Sequence, residues 1–307
     1  MKSPLQIREF EPLKLKRDLL WILKSPSLLA TSHEGLVHHE LLTSLYKTAK
    51  WKLSDEHLLT KFHHNVSQIQ THKLGFYVEG LLKAWFWLDP NIKIIFTNKR
   101  VYREKKTLGE LDFFIYFKEQ QRYEHWETAI KFYLYSESEN KFIGPGGKDR
   151  LDIKVKKMFD HQMKLCYEPE VLEELKSKSI DKFSTYCFLK GKLFYHINQK
   201  QKNTVEIPIN PIHKKGFWLY HKELGDFLRD KHEGFWIICP SLFWISDFHD
   251  ILHACDPLEN EVLVKTVTEL FKNGKKSCYL FYITKTETGR KLESHGFVVQ
   301  DQWPYFN

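Results

Sequence analysis

The chain lacks the features that would mark it as disulfide-bridged, membrane-bound or repetitive. Its five cysteines, Cys166, Cys187, Cys239, Cys255 and Cys278, are odd in number and never spaced as CxxC. A disulfide framework is therefore not expected, and free thiols in a reducing compartment are. No apolar run approaches the roughly 18 residues a membrane-crossing helix needs. The opening stretch, residues 1–10, has no apolar h-region, so no signal peptide is expected. Together these absences point to a cytoplasmic protein with no membrane partner. No internal repeat or low-complexity linker interrupts the chain. His33, His38, His39, His63 and His64 fall close together, but without cysteines or a regular ligand spacing they read as surface histidines rather than a zinc site. Gly144-Pro-Gly-Gly147 is followed by no GK[ST], so it is not a phosphate-binding P-loop.

What the chain does have is apolar bulk and positive charge. Of its 307 residues, 42% are hydrophobic and 15% aromatic, enough to bury one large or two ordinary domains and to make disorder unexpected. The net charge of +8 and pI near 9.0 favour polyanionic partners without specifying a fold.

Three regions follow along the chain. Residues 1–66 read as helical, with Leu19-Leu-Trp-Ile-Leu and Leu41-Leu-Thr-Ser-Leu-Tyr at helical periodicity and a break at Ser25-Pro26. Residues 67–197 form the expected core. An amphipathic helix runs to Asp89-Pro90, and a β-rich stretch spans 91–97. A basic stretch, Lys99 to Lys106, comes next. Strands at 111–117 and 125–135 are joined by a short polar linker, so they form an antiparallel hairpin. A helix then starts near Lys148, with Leu151, Val155, Met158 and Phe159 on one face, and a strand covers 183–188. The order is α-β-β-β-α-β. Residues 198–307, beyond a boundary at Asn198 to Asn203, read as an α/β extension. The fold class is α/β in the α+β sense.

Chemistry-bearing side chains concentrate in the core region. Alternation along the second hairpin strand puts His125, Glu127, Ala129, Lys131 and Tyr133 on one face, and Trp126, Thr128, Ile130, Phe132 and Leu134 on the other. Asp112 lies on the neighbouring strand, and cross-strand Cβ atoms are about 4.5–5.5 Å apart, so Asp112 and Glu127 suit one shared cation. Glu79 projects from a helix face beside Phe76, Leu82 and Phe86. A carboxylate there is costly unless it binds a metal or pairs with Arg or Lys. Lys148, Arg150, Lys154 and the neighbouring lysines of the following helix suit phosphate contacts. Gln162 either orients a site residue or is a core glutamine with a backbone partner. Gly144 to Gly147 is either a strand-to-helix loop or a place where backbone approaches an anion.

The segments Leu74-Gly-Phe-Tyr-Val-Glu79, Thr107-Leu-Gly-Glu-Leu-Asp112-Phe, His125-Trp-Glu127-Thr-Ala-Ile-Lys131-Phe-Tyr-Leu134, Gly144-Pro-Gly-Gly-Lys-Asp149-Arg-Leu-Asp152, His161-Gln162 and Gly296 to Pro304 resemble the bacterial domain-of-unknown-function family numbered 1853. The resemblance runs from about residue 33 to the C-terminus. That family is placed in the PD-(D/E)XK nuclease superfamily, which implies a restriction-endonuclease-like core. It also implies metal carboxylates at Asp112, Glu127 and Glu79, and a lysine, Lys131, supporting the attacking water. In this chain Leu111 stands where a proline often precedes the first carboxylate. Glu127 and Lys131 are four residues apart, about 13 Å between Cα atoms, where the pattern has two, about 7 Å.

The expected function is thus a Mg²⁺- or Mn²⁺-dependent nuclease acting on DNA, less readily on RNA. Asp112, Glu127, Lys131 and Glu79 would be catalytic, and Lys148, Arg150, Lys154 and Gln162 would bind substrate. The stretched Glu127/Lys131 spacing motivates the alternative, a nuclease-fold protein that binds nucleic acid or a protein partner without cutting. An enzyme acting on some other phosphorylated substrate is the third possibility.

Overall fold

The computed structural model describes residues 10–69, 71, 73–199, 205–231, 233–245, 255–287 and 289–306. The expected boundary at 198–203 therefore lies mostly outside the described residues.

Helices α1 (Pro12–Lys24), α2 (His39–Lys52) and α3 (Glu56–Ser67) form the N-terminal region. Pro12 opens α1, where a missing N–H costs nothing, and Leu15, Leu19, Ile22 and Leu23 make its buried stripe. Asp55 caps α3 by accepting from the Leu58 amide at 2.9 Å. Helix α4 (Leu74–Leu88) is apolar on most sides and buries Tyr77, Leu81, Leu82, Trp85 and Phe86. It stops at Asp89, because the residue before a proline is disfavoured in helical conformation.

Strands β1 (Ile92–Arg103), β2 (Lys106–Phe117) and β3 (Arg122–Ser136) form an antiparallel meander. The basic stretch at 99–106, outside any expected strand, is the tight hairpin between β1 and β2. Arg103 pairs with Lys106, and Glu104 takes the left-handed conformation at φ 54°. Its cations do not form a free patch, since Lys99 pairs with Glu174, and Arg103 with Glu168 and Glu170. A short strand β4 (Lys141–Ile143) returns against the end of β3. The Gly144–Gly147 turn closes through Gly147 N–H to Gly144 O (2.8 Å) and leads into α5 (Leu151–Asp160). A 3₁₀ turn at Gln162–Tyr167 and helix α6 (Pro169–Ser177) follow. Strand β5 (Ser184–His196) then runs parallel to β3.

The C-terminal region continues the same sheet. Among the described residues, strands β6 (Lys214–Tyr220), β7 (Gly234–Cys239), β8 (Ser277–Thr286) and β9 (Gly289–Val299) complete a nine-stranded mixed sheet, with β4 attached to β3 beside the order β1-β2-β3-β5-β6-β9-β8-β7. Helices α7 (Leu224–Leu228) and α8 (Asn260–Lys272) pack on this part through Leu224, Leu228, Leu263 and Val267. A 3₁₀ turn spans Ser241–Phe243. The largest core cluster joins α1, α2 and α4 to one face of the sheet and reaches Trp303. The opposite face carries α5 with Tyr133, Leu151, Met158 and Leu189.

Strand β3 is central and buried on both faces, so His125, Glu127 and Tyr133 are as inaccessible as Trp126 and Leu134. One of its edges is fully paired with β5 from Glu124 to Leu134. The other pairs with β2 only up to Trp126 and with β4 only from Leu134. Among the described residues no strand pairs with that edge between 127 and 133. The sheet is forked there.

Candidate functional site

The fork holds the expected residues. The last β2–β3 pair is Phe113 with Trp126, and in the same register the next pair is Asp112 with Glu127. Here side chains substitute for the backbone ladder. Asp112 Oδ2 accepts from Thr128 N (2.8 Å) and Thr128 Oγ1 (3.0 Å). The Asp112 amide in turn donates to the Glu127 carboxylate. Glu127 Oε1 lies 3.1 Å from His125 Nε2, and Glu127 Oε2 accepts from Gln162 Nε2 at 2.9 Å. The Gln162 carbonyl oxygen accepts from Lys154 Nζ at 2.9 Å. Gln162 is thus a relay between an α5 ammonium and a β3 carboxylate.

Glu79 faces this pair from α4. Its Oε2 accepts from Asn98 Nδ2 at 3.1 Å, and the same amide reaches Glu110 Oε1 at 3.3 Å. Its partner is therefore an amide, not the Arg or Lys of the structural alternative.

The acids sit where ionisation is unfavourable. Burial raises Glu127 to about 8, against the pull of Lys154. Burial and then the Glu127 charge raise Asp112 to about 7, opposed by the Thr128 hydrogen bonds. Burial and then Asp112 raise Glu79 to about 7. Burial lowers His125 to about 4, so at neutral pH it is an uncharged imidazole. Burial and the neighbouring Lys131 lower Lys154, while Glu127 and Asp112 pull it back. Buried acids beside an ammonium, two of them raised further by a neighbouring carboxylate, form a place where added positive charge is favourable.

The remaining expected residues fall farther out. Lys131 shares the β3 face with Glu127, but its Nζ binds Asp149 Oδ2 at 2.5 Å. Lys154 is the ammonium that acts on both Asp112 and Glu127. Arg150 is held by Asp152, and Lys148 stands exposed. Sequence reasoning missed Thr128, whose position on the opposite face of β3 hid its bonds to Asp112. It also missed Asp149 as the partner of Lys131, although Asp149 is the first carboxylate after the glycine turn. Among the described residues, no three His, Cys, Asp or Glu side chains are grouped closely enough to hold a metal ion. Among the same residues, no helix is long and apolar enough to cross a membrane.

The fold and this cluster define a mixed α/β protein with a buried acidic centre at a fork in its sheet. The chain belongs to the family described as Domain of unknown function (DUF1853), which matches residues 17–299. No curated protein and no solved structure matches the chain.

Proposed function

We propose that the protein is a divalent-metal-dependent nuclease with a PD-(D/E)XK-like core, hydrolysing phosphodiester bonds of DNA. The observation that carries this reading is the opposition of Asp112 and Glu127 at the fork, each acid neutral-biased and within reach of the Lys154–Gln162 relay. The element order α4-β1-β2-β3-β4-α5-α6-β5, with β3 antiparallel to β2 and parallel to β5, supports the same reading.

The donors are all carboxylate oxygens, which suit hard cations such as Mg²⁺ or Mn²⁺. Asp112 and Glu127 would hold the cation, with Glu79 beside them and water or substrate phosphate supplying the remaining ligands. Such an ion polarises a phosphoryl oxygen and acidifies a water. Gln162 fixes the Glu127 carboxylate, and Thr128 fixes that of Asp112. Lys154 offers positive charge where phosphoryl charge develops. Lys131, tied to Asp149, supports the mouth of the fork.

Mn²⁺-dependent cleavage of DNA that disappears in Asp112→Ala and in Glu127→Gln is the expected result. A folded wild-type protein that cuts no nucleic acid under any divalent metal overturns the proposal. One observation favours the non-cutting alternative: the described side chains include no ready three-ligand group. Calorimetry with Mn²⁺ separates the two, because stoichiometric binding lost in Asp112→Ala requires a cation site.

A further inference from the structure

A cleft of about 750 Å³ opens between α4 and the β1–β2 hairpin, and Glu79 is part of its wall. Its rim is unusual for a monomer surface. Phe76 is 50% exposed on the α4 side and Tyr102 is 46% exposed on the strand side. Lys83, Arg100 and Glu110 line the same cleft, and Arg100 Nε stands 3.5 Å from Glu110 Oε2. Lys73 Nζ stands 5.6 Å from the Phe76 ring, and Lys83 Nζ stands 4.9 Å from the ring of Trp87, one turn farther along α4. Trp87 is 58% exposed.

The pattern follows from helical spacing. Residues 76, 83 and 87 recur at seven and four, so they share one face of α4. On β1, residues 100 and 102 share a face by alternation. The result is one face of α4, running past the cleft at both ends, on which cations and rings alternate from Lys73 to Trp87, with the Tyr102 ring facing it across the cleft. From Phe76 to Trp87 the helix rises about 16 Å, the axial run of roughly four or five stacked nucleotides. An apolar partner would need no cations here, and an acidic peptide would need no flat rings. Rings interleaved with cations fit a polyanion that offers π-faces. A duplex hides those faces within its stack and an unpaired strand does not.

We propose that this cleft is a track for an unpaired strand of nucleic acid, delivering its backbone to the Glu79 side of the fork. Binding rests on the cleft alone; what happens at the end of the track rests on the nuclease reading. Bases stack on Phe76, Tyr102 and Trp87, and phosphates lie against Lys73 and Lys83.

The test is fluorescence anisotropy without metal, using a labelled oligothymidylate of about twenty nucleotides and a duplex of equal length. The oligothymidylate is expected to bind at least about tenfold tighter than the duplex. Phe76→Ala and Tyr102→Ala should each lose about tenfold in affinity. Tyr305→Ala, at an exposed ring outside the cleft, should lose none. Equal affinity for the duplex, or wild-type affinity in both cleft variants with unchanged melting temperatures, overturns the track. Cleavage is read separately with Mn²⁺. Tight single-strand binding without cutting keeps the track and overturns the nuclease. Duplex cutting with no preference for the unpaired strand does the reverse.

Discussion

Glu127 is fully buried, and burial takes its carboxyl from 4.5 to about 8. This is the reverse of the usual acid in a folded protein. Between those values the folded state binds the proton more strongly than the unfolded chain, so stability is highest at low pH and is lost as pH rises through this window. Glu127 alone is expected to make the metal-free protein less stable at pH 8 than at pH 5 by on the order of 2–4 kcal/mol, as read by urea unfolding at the two pH values. Glu127→Gln, which keeps the Gln162 partner and removes one titration, should flatten part of that slope and leave the share of Asp112 and Glu79, both raised to about 7. A slope unchanged in the variant would mean that another group carries it. The two lysines separate at the same scale. If Lys154 supplies the charge at the fork, Lys154→Gln should lower Mn²⁺-dependent turnover about 10²-fold. Lys131→Gln, which only releases Asp149, should lower it less than tenfold. The opposite ranking, measured on one substrate, would return the role to Lys131.

Elements differ in how far local sequence betrays them. Helix α4 ends where Asp89-Pro90 says it must, and the polar linker 118–121 folds as the expected β2–β3 hairpin. From that hairpin and simple alternation, the opposition of Asp112 and Glu127 was legible. The double-sided burial of β3 was not, because Glu127 and Lys131 look like a solvated face until α5 is laid over them. Gln162 reaches Glu127 from a tight turn after α5 whose path no periodicity encodes, and Lys154 meets Gln162 from α5 itself. The edge shared with β5 depends on Gly191, at φ 148°, where an added Cβ would stand 1.7 Å from the Lys131 carbonyl oxygen. No side chain can move to relieve a backbone clash. Gly191→Ala should therefore cost about 2–4 kcal/mol in chemical denaturation. A loss below about 0.5 kcal/mol would show that the strands slide apart easily there.

For the whole molecule, a net charge of +8 overstates what a polyanion meets. Lys99, Arg100, Arg103 and Arg150 spend their charge on Glu174, on Glu110, on Glu168 and Glu170, and on Asp152, and no reading of composition reveals such pairing. If only Lys73 and Lys83 meet phosphates, log affinity for an unpaired strand should fall with log salt at a slope of about −1.4. A slope steeper than about −4 in anisotropy titrations would place the contacts over a wider surface. The sheet itself joins the core stretch to the C-terminal one, since β6 and β9 extend the edge begun by β3 and β5.

The fork has one further consequence. Where β2 leaves β3, the amides of Asp112 and Thr128 are bonded to carboxylates rather than to carbonyls. Their protons therefore report the state of those acids. Amide hydrogen exchange at these two positions should speed up if a cation draws the carboxylates away, and slow down if it clamps them in place. Either change would register occupancy of the centre without any substrate, while the amides of the paired β3–β5 edge stayed as they were.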